Sequence, residues 1–140
     1  MDAVRITIKS RLEEVREIGA GVLAFCLGQG LSSDEAGLVE LAVVEAANNA
    51  VIHAYAGSPN GKIEVNMERT ADKLVFSVSD WGESFDPGPL LARLGPAWEQ
   101  DPLEESGRGL AIIKQVMERI EHRSTDGRNT MVMVRPGPGL

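Results

Sequence analysis

The sequence has a single cysteine, few aromatic residues and no excess of basic residues. Cys26 stands alone, so the chain cannot form an internal disulfide, and its apolar helical surroundings favour a small buried side chain over a reactive thiol. The sequence has 14 lysines and arginines against 21 aspartates and glutamates, and it contains no basic run. We therefore expect no direct nucleic-acid binding, because phosphate contacts need a basic face. An acidic surface favours a basic or neutral protein partner instead.

A long apolar run and a signal peptide are also lacking, so we expect a cytoplasmic protein without a membrane span. The 140 residues, 43% of them hydrophobic, suit a single domain with its own core. We find no internal repeat or second domain and expect one domain over residues 1–140. The Pro-Gly-rich end, residues 136–140, is expected to be frayed.

Hydrophobic periodicity predicts the secondary structure. Strands are expected at residues 3–9, 63–67, 74–78, 121–124 and 130–135, and helices at 11–27, from Ser32 to about Tyr55, at 90–94 and at 109–120. The long helix opens with a capping box, Ser32 and Glu35. Short turns between neighbouring strands indicate a mostly antiparallel sheet with the helices on one face. The predicted fold is therefore a two-layer α/β sandwich.

Three of the polar residues in the mostly apolar helix at residues 38–53 are evenly spaced. Glu45, Asn49 and His53 are spaced by four, so they form one ridge. An unsatisfied buried amide costs roughly 1–3 kcal/mol and an unpaired buried carboxylate several, so we expect the ridge to face a polar cleft. Asn49 offers an oxygen of the kind that Mg²⁺ prefers, and Glu45 can take a proton from a hydroxyl or water. A structural hydrogen-bond pair is the alternative for Glu45 and Asn49, and packing at the helix end is favoured for His53.

Two further motifs stand where a nucleotide could bind. Asp80, at the end of a strand, can accept a hydrogen bond from an amino group of a base, and Gly82 allows a close approach to a flat ring. Gly107, Arg108 and Gly109 open the next predicted helix, whose free amides could bind phosphate. The alternative for Asp80 and Gly82 is a plain turn, and the alternative for residues 107–109 is a flexible hinge.

A competing glycine pattern is rejected. Gly19 and Gly21 fit the dinucleotide fingerprint, but the segment before them is helical, whereas that fingerprint follows a strand. We interpret these glycines as sites of close helix packing.

In order and spacing, the three motifs resemble the boxes of the GHKL, or Bergerat-fold, ATPases. Within that superfamily the chain most resembles stand-alone anti-sigma-factor serine kinases, through the runs 45–55, 85–87 and 107–117. This resemblance implies ATP or ADP as nucleotide with Mg²⁺, and it implies the Bergerat fold for the sandwich. A sensor histidine kinase would need a further helical domain.

The resemblance also implies roles for individual residues. Glu45 would be the catalytic base and Asn49 the Mg²⁺ ligand, and Asp80 would recognise adenine. The remaining nucleotide-binding positions would be Gly82, Gly107, Arg108, Gly109, Leu110 and Thr130, the last as the distal threonine of the adenine-side network. Residues 87–106 would form a lid over the phosphates.

The implied function is partner switching. The chain would phosphorylate a serine of an anti-anti-sigma (STAS-type) protein, sequester a sigma factor and form a homodimer. Two positions depart from the family pattern, because Ser84 and Asn129 stand where glycines are common. A nucleotide-binding anti-sigma or scaffold module without phosphotransfer, a simple ATP hydrolase and a detached histidine-kinase catalytic domain remain alternatives. Arg16 on the first helix is a candidate partner contact.

Overall fold

The computed structural model describes residues 3–96 and 105–137, with only the backbone described at 105–107. The strands are β1 (Ala3–Lys9), β2 (Lys62–Thr70), β3 (Lys73–Asp80), β4 (Arg119–Thr125) and β5 (Arg128–Pro136). The helices are α1 (Val15–Gly28), α2 (Ser33–Asn49), α3 (Gly88–Arg93) and α4 (Glu105–Val116), with a 3-10 turn at Leu12–Glu14 and a π-helical turn at Ala50–Ala54. No helix in these ranges has both the length and the hydropathy needed to cross a bilayer.

The five strands form one antiparallel sheet in the order β1-β2-β3-β5-β4. Alternate residues such as Val65, Phe76 and Met133 point to one face and are fully buried, because α1, α2 and α4 cover it. The intervening residues, such as Glu64 and Ser77, lie on the other face. The predicted two-layer α/β sandwich with an antiparallel sheet is thus confirmed.

Helix α2 begins as its sequence predicts and ends differently. The Ser32 side chain accepts a hydrogen bond from the Glu35 amide at 3.1 Å, which confirms the cap. The α-helical bonding ends at Asn49, and Ala50–Ala54 continues as a π turn rather than as the predicted α-helix. Such turns change the direction of the backbone locally and occur often at functional sites.

The glycines of the rejected fingerprint serve helix packing, as predicted. A Cβ added to Gly19 would lie 3.1 Å from Glu40 on α2, and one added to Gly21 would lie 2.1 Å from Ile6 on β1. Cys26, on the same helix, is fully buried. Burial raises the pKa of the Cys26 thiol to about 11, although the charge of Arg135 opposes the rise, so the thiol stays protonated at neutral pH.

Among the side chains that the structure describes, Glu64 is the one acidic residue that is buried, and it lies on the face of the sheet opposite the helices. Burial alone would raise the pKa of its carboxyl. A hydrogen bond from Asn66 and the charges of Arg5, Arg128 and Lys62 outweigh that effect and hold the pKa below its ordinary value of 4.5. Glu64 is therefore ionised near neutral pH.

This depressed pKa predicts a pH-dependent contribution to stability. Because the unfolded carboxyl binds protons more tightly than the folded one, the contribution is complete well above pH 4.5 and is lost as pH falls through the folded-state pKa. We expect Glu64→Gln to lower the free energy of unfolding by about 1 kcal/mol at pH 7 and by far less at pH 3. Urea denaturation at both pH values measures this, and a difference independent of pH would contradict it.

Candidate functional site

The polar ridge of α2 lies at the junction of two cavities. Glu45, Asn49 and His53 are all half-buried. Asn49 and His53 border a cavity that also contains Asp80, called the Asp80 cavity below, and Glu45 and Asn49 border a neighbouring one, called the Glu45 cavity. Asn49 therefore belongs to both, as expected if one ligand extends from one cavity into the other.

The Asp80 cavity is formed by the end of α2 and the π turn on one side and by β3 and β5 on the other. Its apolar wall is made of small or flexible side chains: Ala46, Ala50, Ala54, Val78 and Met131. Its polar lining includes Asp80 and Asn129, paired across the two strands, and also Asn49, His53, Glu83, His122 and Thr130. Apolar walls together with a carboxylate that accepts hydrogen bonds suit a flat heteroaromatic ring.

Gly82 packs against the end of the π turn. A Cβ at this position would lie 2.2 Å from the carbonyl oxygen of Ala54 and 2.6 Å from its carbonyl carbon. The same carbonyl accepts a hydrogen bond from the Glu83 amide at 2.8 Å. The glycine after Asp80 is thus required by contact between loop and helix end, whereas the sequence suggested an approach to a ligand ring.

The Glu45 cavity lies between α2 and the first turns of α4. It is lined by Leu12, Glu45, Asn48, Asn49, Ile52, Arg108, Gly109 and Ile112. A Cβ on Gly109 would lie 2.6 Å from Oε2 of Glu45, so the carboxylate rests directly against the glycine. The exposed Arg108 brings a positive charge to the same cavity. The positive end of the α4 dipole also faces this region, as an anionic ligand would require.

The structure moves the start of the helix that follows the predicted lid. Helix α4 begins at Glu105 rather than at Gly109, so Gly107 is in the first turn, where amides have no partner within the helix, and Arg108 and Gly109 follow it inside the helix. The Leu110 side chain is 1% exposed and belongs to the core, which leaves only its backbone for binding. These shifts follow from a helix that starts earlier than its hydrophobic pattern.

Asn129, rather than Thr130, is the residue of β5 that bonds to Asp80. Thr130 borders the Asp80 cavity, but its hydroxyl lies 2.9 Å from Ser79 Oγ, to which it is paired. The side chain that reaches Asp80 is Asn129, whose amide donates to Asp80 Oδ1 at 2.8 Å. Neighbouring residues of a strand point to opposite faces, so only one of the two can face Asp80.

The predicted lid, residues 87–106, is only partly covered by the described residues. Its first part forms α3, and the Lys114 ammonium on α4 donates to the carbonyls of Leu91 and Leu94 at the end of α3. Leu90, Leu91 and Leu94 also pack against the core. Residues 97–104 lie outside the described residues, so the lid stays a prediction.

Phe85 is a cavity residue to which the sequence assigned no role. It is 44% exposed, stacks on His53 with ring centroids 5.7 Å apart, and borders the Asp80 cavity. No local pattern predicts this stack, because it depends on where the loop after β3 returns over the π turn.

A protein-family model matches most of this chain. The model described as "Histidine kinase-like ATPase domain" matches residues 8–135. Among curated proteins, the serine-protein kinase RsbW of Bacillus subtilis is 30% identical over 129 residues, covering 90% of this chain and 81% of its own. The anti-sigma F factor of Clostridium beijerinckii is 28% identical over 131 residues, covering 93% of this chain and 90% of its own.

Solved structures agree on the fold. The RsbU and RsbW domains of Rv1364c from Mycobacterium tuberculosis superpose with a TM-score of 0.66 at 19% identity, covering 98% of this chain and 33% of that longer one. The catalytic domain of histidine kinase ThkA gives a TM-score of 0.58 at 15% identity, covering 98% and 97%. At these identities the likeness concerns the fold alone.

Proposed function

The chain belongs to the histidine kinase-like ATPase domain family, and from this premise we propose that it is an ATP-dependent serine protein kinase and anti-sigma factor. The RsbW and anti-sigma F relatives carry these activities in their names and align with most of the chain. The resemblance to anti-sigma-factor serine kinases is thereby confirmed. The observation that most supports catalysis is the position of Glu45, half-buried beside Asn49 and against Gly109 at the start of α4.

ATP would be bound with its base in the Asp80 cavity. The carboxylate oxygens of Asp80 accept hydrogen bonds, so they fit the exocyclic amino group of adenine and disfavour the oxygen of guanine at that position. The alanines of α2 and the π turn leave room for the flat ring. The adenine would then be held between Val78 and Met131 on the sheet side and the helix on the other.

The triphosphate would extend past Asn49 into the Glu45 cavity. There the first-turn amide of Gly107 and the Arg108 guanidinium would stabilise its negative charge. The residues present also fit Mg²⁺, because the amide oxygen of Asn49 is a hard ligand and lies between the two cavities. Bound Mg²⁺ would supply charge neutralisation at the phosphates.

Glu45 would act as the general base. Its carboxylate takes the proton of an acceptor serine as the serine oxygen attacks the γ-phosphorus. The new O–P bond replaces the bond to the β-phosphate oxygen, and ADP leaves. The serine would approach from the open side of the Glu45 cavity, between Leu12 and Ile52, which are 53% and 37% exposed.

The acceptor would be an anti-anti-sigma protein and the sequestered partner a sigma factor. Both would meet the protein in the cytoplasm, where a homodimer is the expected state. Phosphorylation would release the acceptor and leave the kinase free to hold the sigma factor. Arg16, exposed on α1 in a groove that shares Leu12 and Asn48 with the Glu45 cavity, stays a candidate contact.

The test is transfer of label from γ-labelled ATP to a small anti-anti-sigma protein encoded beside this chain, with and without Mg²⁺. We expect label on a serine of the acceptor, dependent on Mg²⁺ and removed by Ser→Ala at that position. Binding of ATP and of a sigma factor without any transfer would favour the scaffold alternative. Release of free phosphate at an equal rate with and without acceptor would favour a simple hydrolase.

A further inference from the structure

A chain of hydrogen bonds joins the two positions at which this sequence departs from the family's glycines. Ser84 Oγ lies 3.0 Å from Ser124 Oγ, and Ser124 Oγ bonds Asn129 Oδ1. The Asn129 amide nitrogen then bonds Asp80 Oδ1 at 2.8 Å and the Gly82 carbonyl at 3.0 Å. The loop after β3, the end of β4 and the start of β5 are thus tied to the Asp80 carboxylate.

Chemistry fixes the direction of each bond in this chain. The Asp80 carboxylate and the Gly82 carbonyl can only accept, so the Asn129 amide uses both of its hydrogens on them. Asn129 Oδ1 must then accept from Ser124, whose hydroxyl hydrogen is used there. Ser84 is left to donate to Ser124. Every donor points toward Asp80, and such chains strengthen cooperatively when they end on a charge.

The same chain determines which oxygen of Asp80 is offered to a ligand. Oδ1 accepts from Asn129 and from the Gly82 amide at 3.1 Å. Within residues 3–96 and 108–137, both hydrogen bonds of the Asp80 side chain go to Oδ1, so Oδ2 is presented to the cavity. Asn129 itself is 6% exposed and has no remaining donor for a ligand.

We propose that Asn129 is a positioning residue that fixes the Asp80 carboxylate for recognition of a 6-amino purine, with Ser124 and Ser84 holding Asn129 in turn. This inference rests on the proposed binding of ATP in the Asp80 cavity. It gives the two departures from glycine a joint role, because either one alone would leave the chain of bonds incomplete.

The test compares two nucleotides that differ only in the 6-amino group, ATP and purine riboside triphosphate, by calorimetric titration of the full chain. The wild type is expected to prefer ATP by roughly tenfold or more, the effect of one hydrogen bond to a charged group. In Asn129→Ala the preference should fall to about twofold or less, because the carboxylate is no longer held. Asn129→Asp keeps the side-chain shape without the amide donor and should lose the preference as well.

A purely structural role for Asn129 would weaken both nucleotides by the same factor and leave the ratio unchanged, which would overturn the proposal. Ser124→Ala tests the next bond outward in the chain. Ser124 is exposed, and in this variant the bond from Asn129 to Asp80 remains. It should lower the preference measurably but less than Asn129→Ala. If neither Asn129 variant folds by circular dichroism, an unchanged ratio in Ser124→Ala overturns the proposal. A wild type that binds neither nucleotide would instead refute the proposed function.

Discussion

Glu45→Gln is expected to lower the rate of serine phosphorylation roughly 100- to 10,000-fold, the usual contribution of a positioned general base. Glutamine keeps the shape and the contact with Gly109 but cannot take a proton. In the proposed binding mode the base of the nucleotide is held in the other cavity, so the affinity for ATP should change by no more than about threefold. Single-turnover transfer and an equilibrium titration with ATP measure the two quantities separately.

Asp34→Asn is the matched control for this experiment. Asp34 is an exposed acidic residue on the same helix, and it borders neither of the two cavities nor the groove that contains Arg16. Its variant should transfer phosphate within about twofold of the wild-type rate, as expected for a carboxylate remote from the reacting atoms. Transfer by Glu45→Gln at the wild-type rate would rule out Glu45 as the base, while an equal loss of ATP binding would point to a structural role.

Among substitutions that add one methyl group near the site, Gly82→Ala is expected to disrupt the site most. The added Cβ would meet the Ala54 carbonyl at 2.2 Å, and this contact involves backbone that cannot rotate away. We expect a loss of about 2–4 kcal/mol in the free energy of unfolding, in the range of strong overpacking. Affinity for ATP should fall at least roughly tenfold, because Asp80 and the loop that carries Gly82 must move together.

Gly37→Ala in α2 provides the comparison. A Cβ there meets nothing within 4 Å, so the variant should gain about 0.5–1 kcal/mol from helix propensity. Denaturant unfolding of both variants, followed by ATP titration of the folded proteins, gives the two effects. Wild-type stability and affinity in Gly82→Ala would show that the contact with Ala54 is not limiting.

Local signals in the sequence predicted most of the fold. The cap at Ser32 depends on residues three apart. The short turns predicted between neighbouring strands depend on adjacent residues, as at Asp126 and Gly127, which both have positive φ. The alternation of apolar and polar residues predicted the ends of the strands to within a few residues. These features form from short segments, so a single sequence contains the information for them.

The parts of the site that were missed depend on contacts between distant segments. Whether Asn129 or Thr130 faces Asp80 is decided by the pairing of β3 with β5, a register that spans about fifty residues. The need for glycine at position 82 arises from contact with a π turn that no local sequence pattern predicts. The roles of Glu45 and Asn49 stay predictions, since geometry brings them together without a ligand.

The two outer strands of the sheet, β1 and β4, limit how this protein can meet others. Within the part of the chain that the structure describes, each of them pairs with a single strand, and the side chains along them include exposed, charged Arg5, Lys9, Arg119 and Arg123. Charged side chains of this length hinder the addition of a foreign strand. Association by continuing the sheet is therefore disfavoured, and a partner would have to engage a face of the sandwich or its helices.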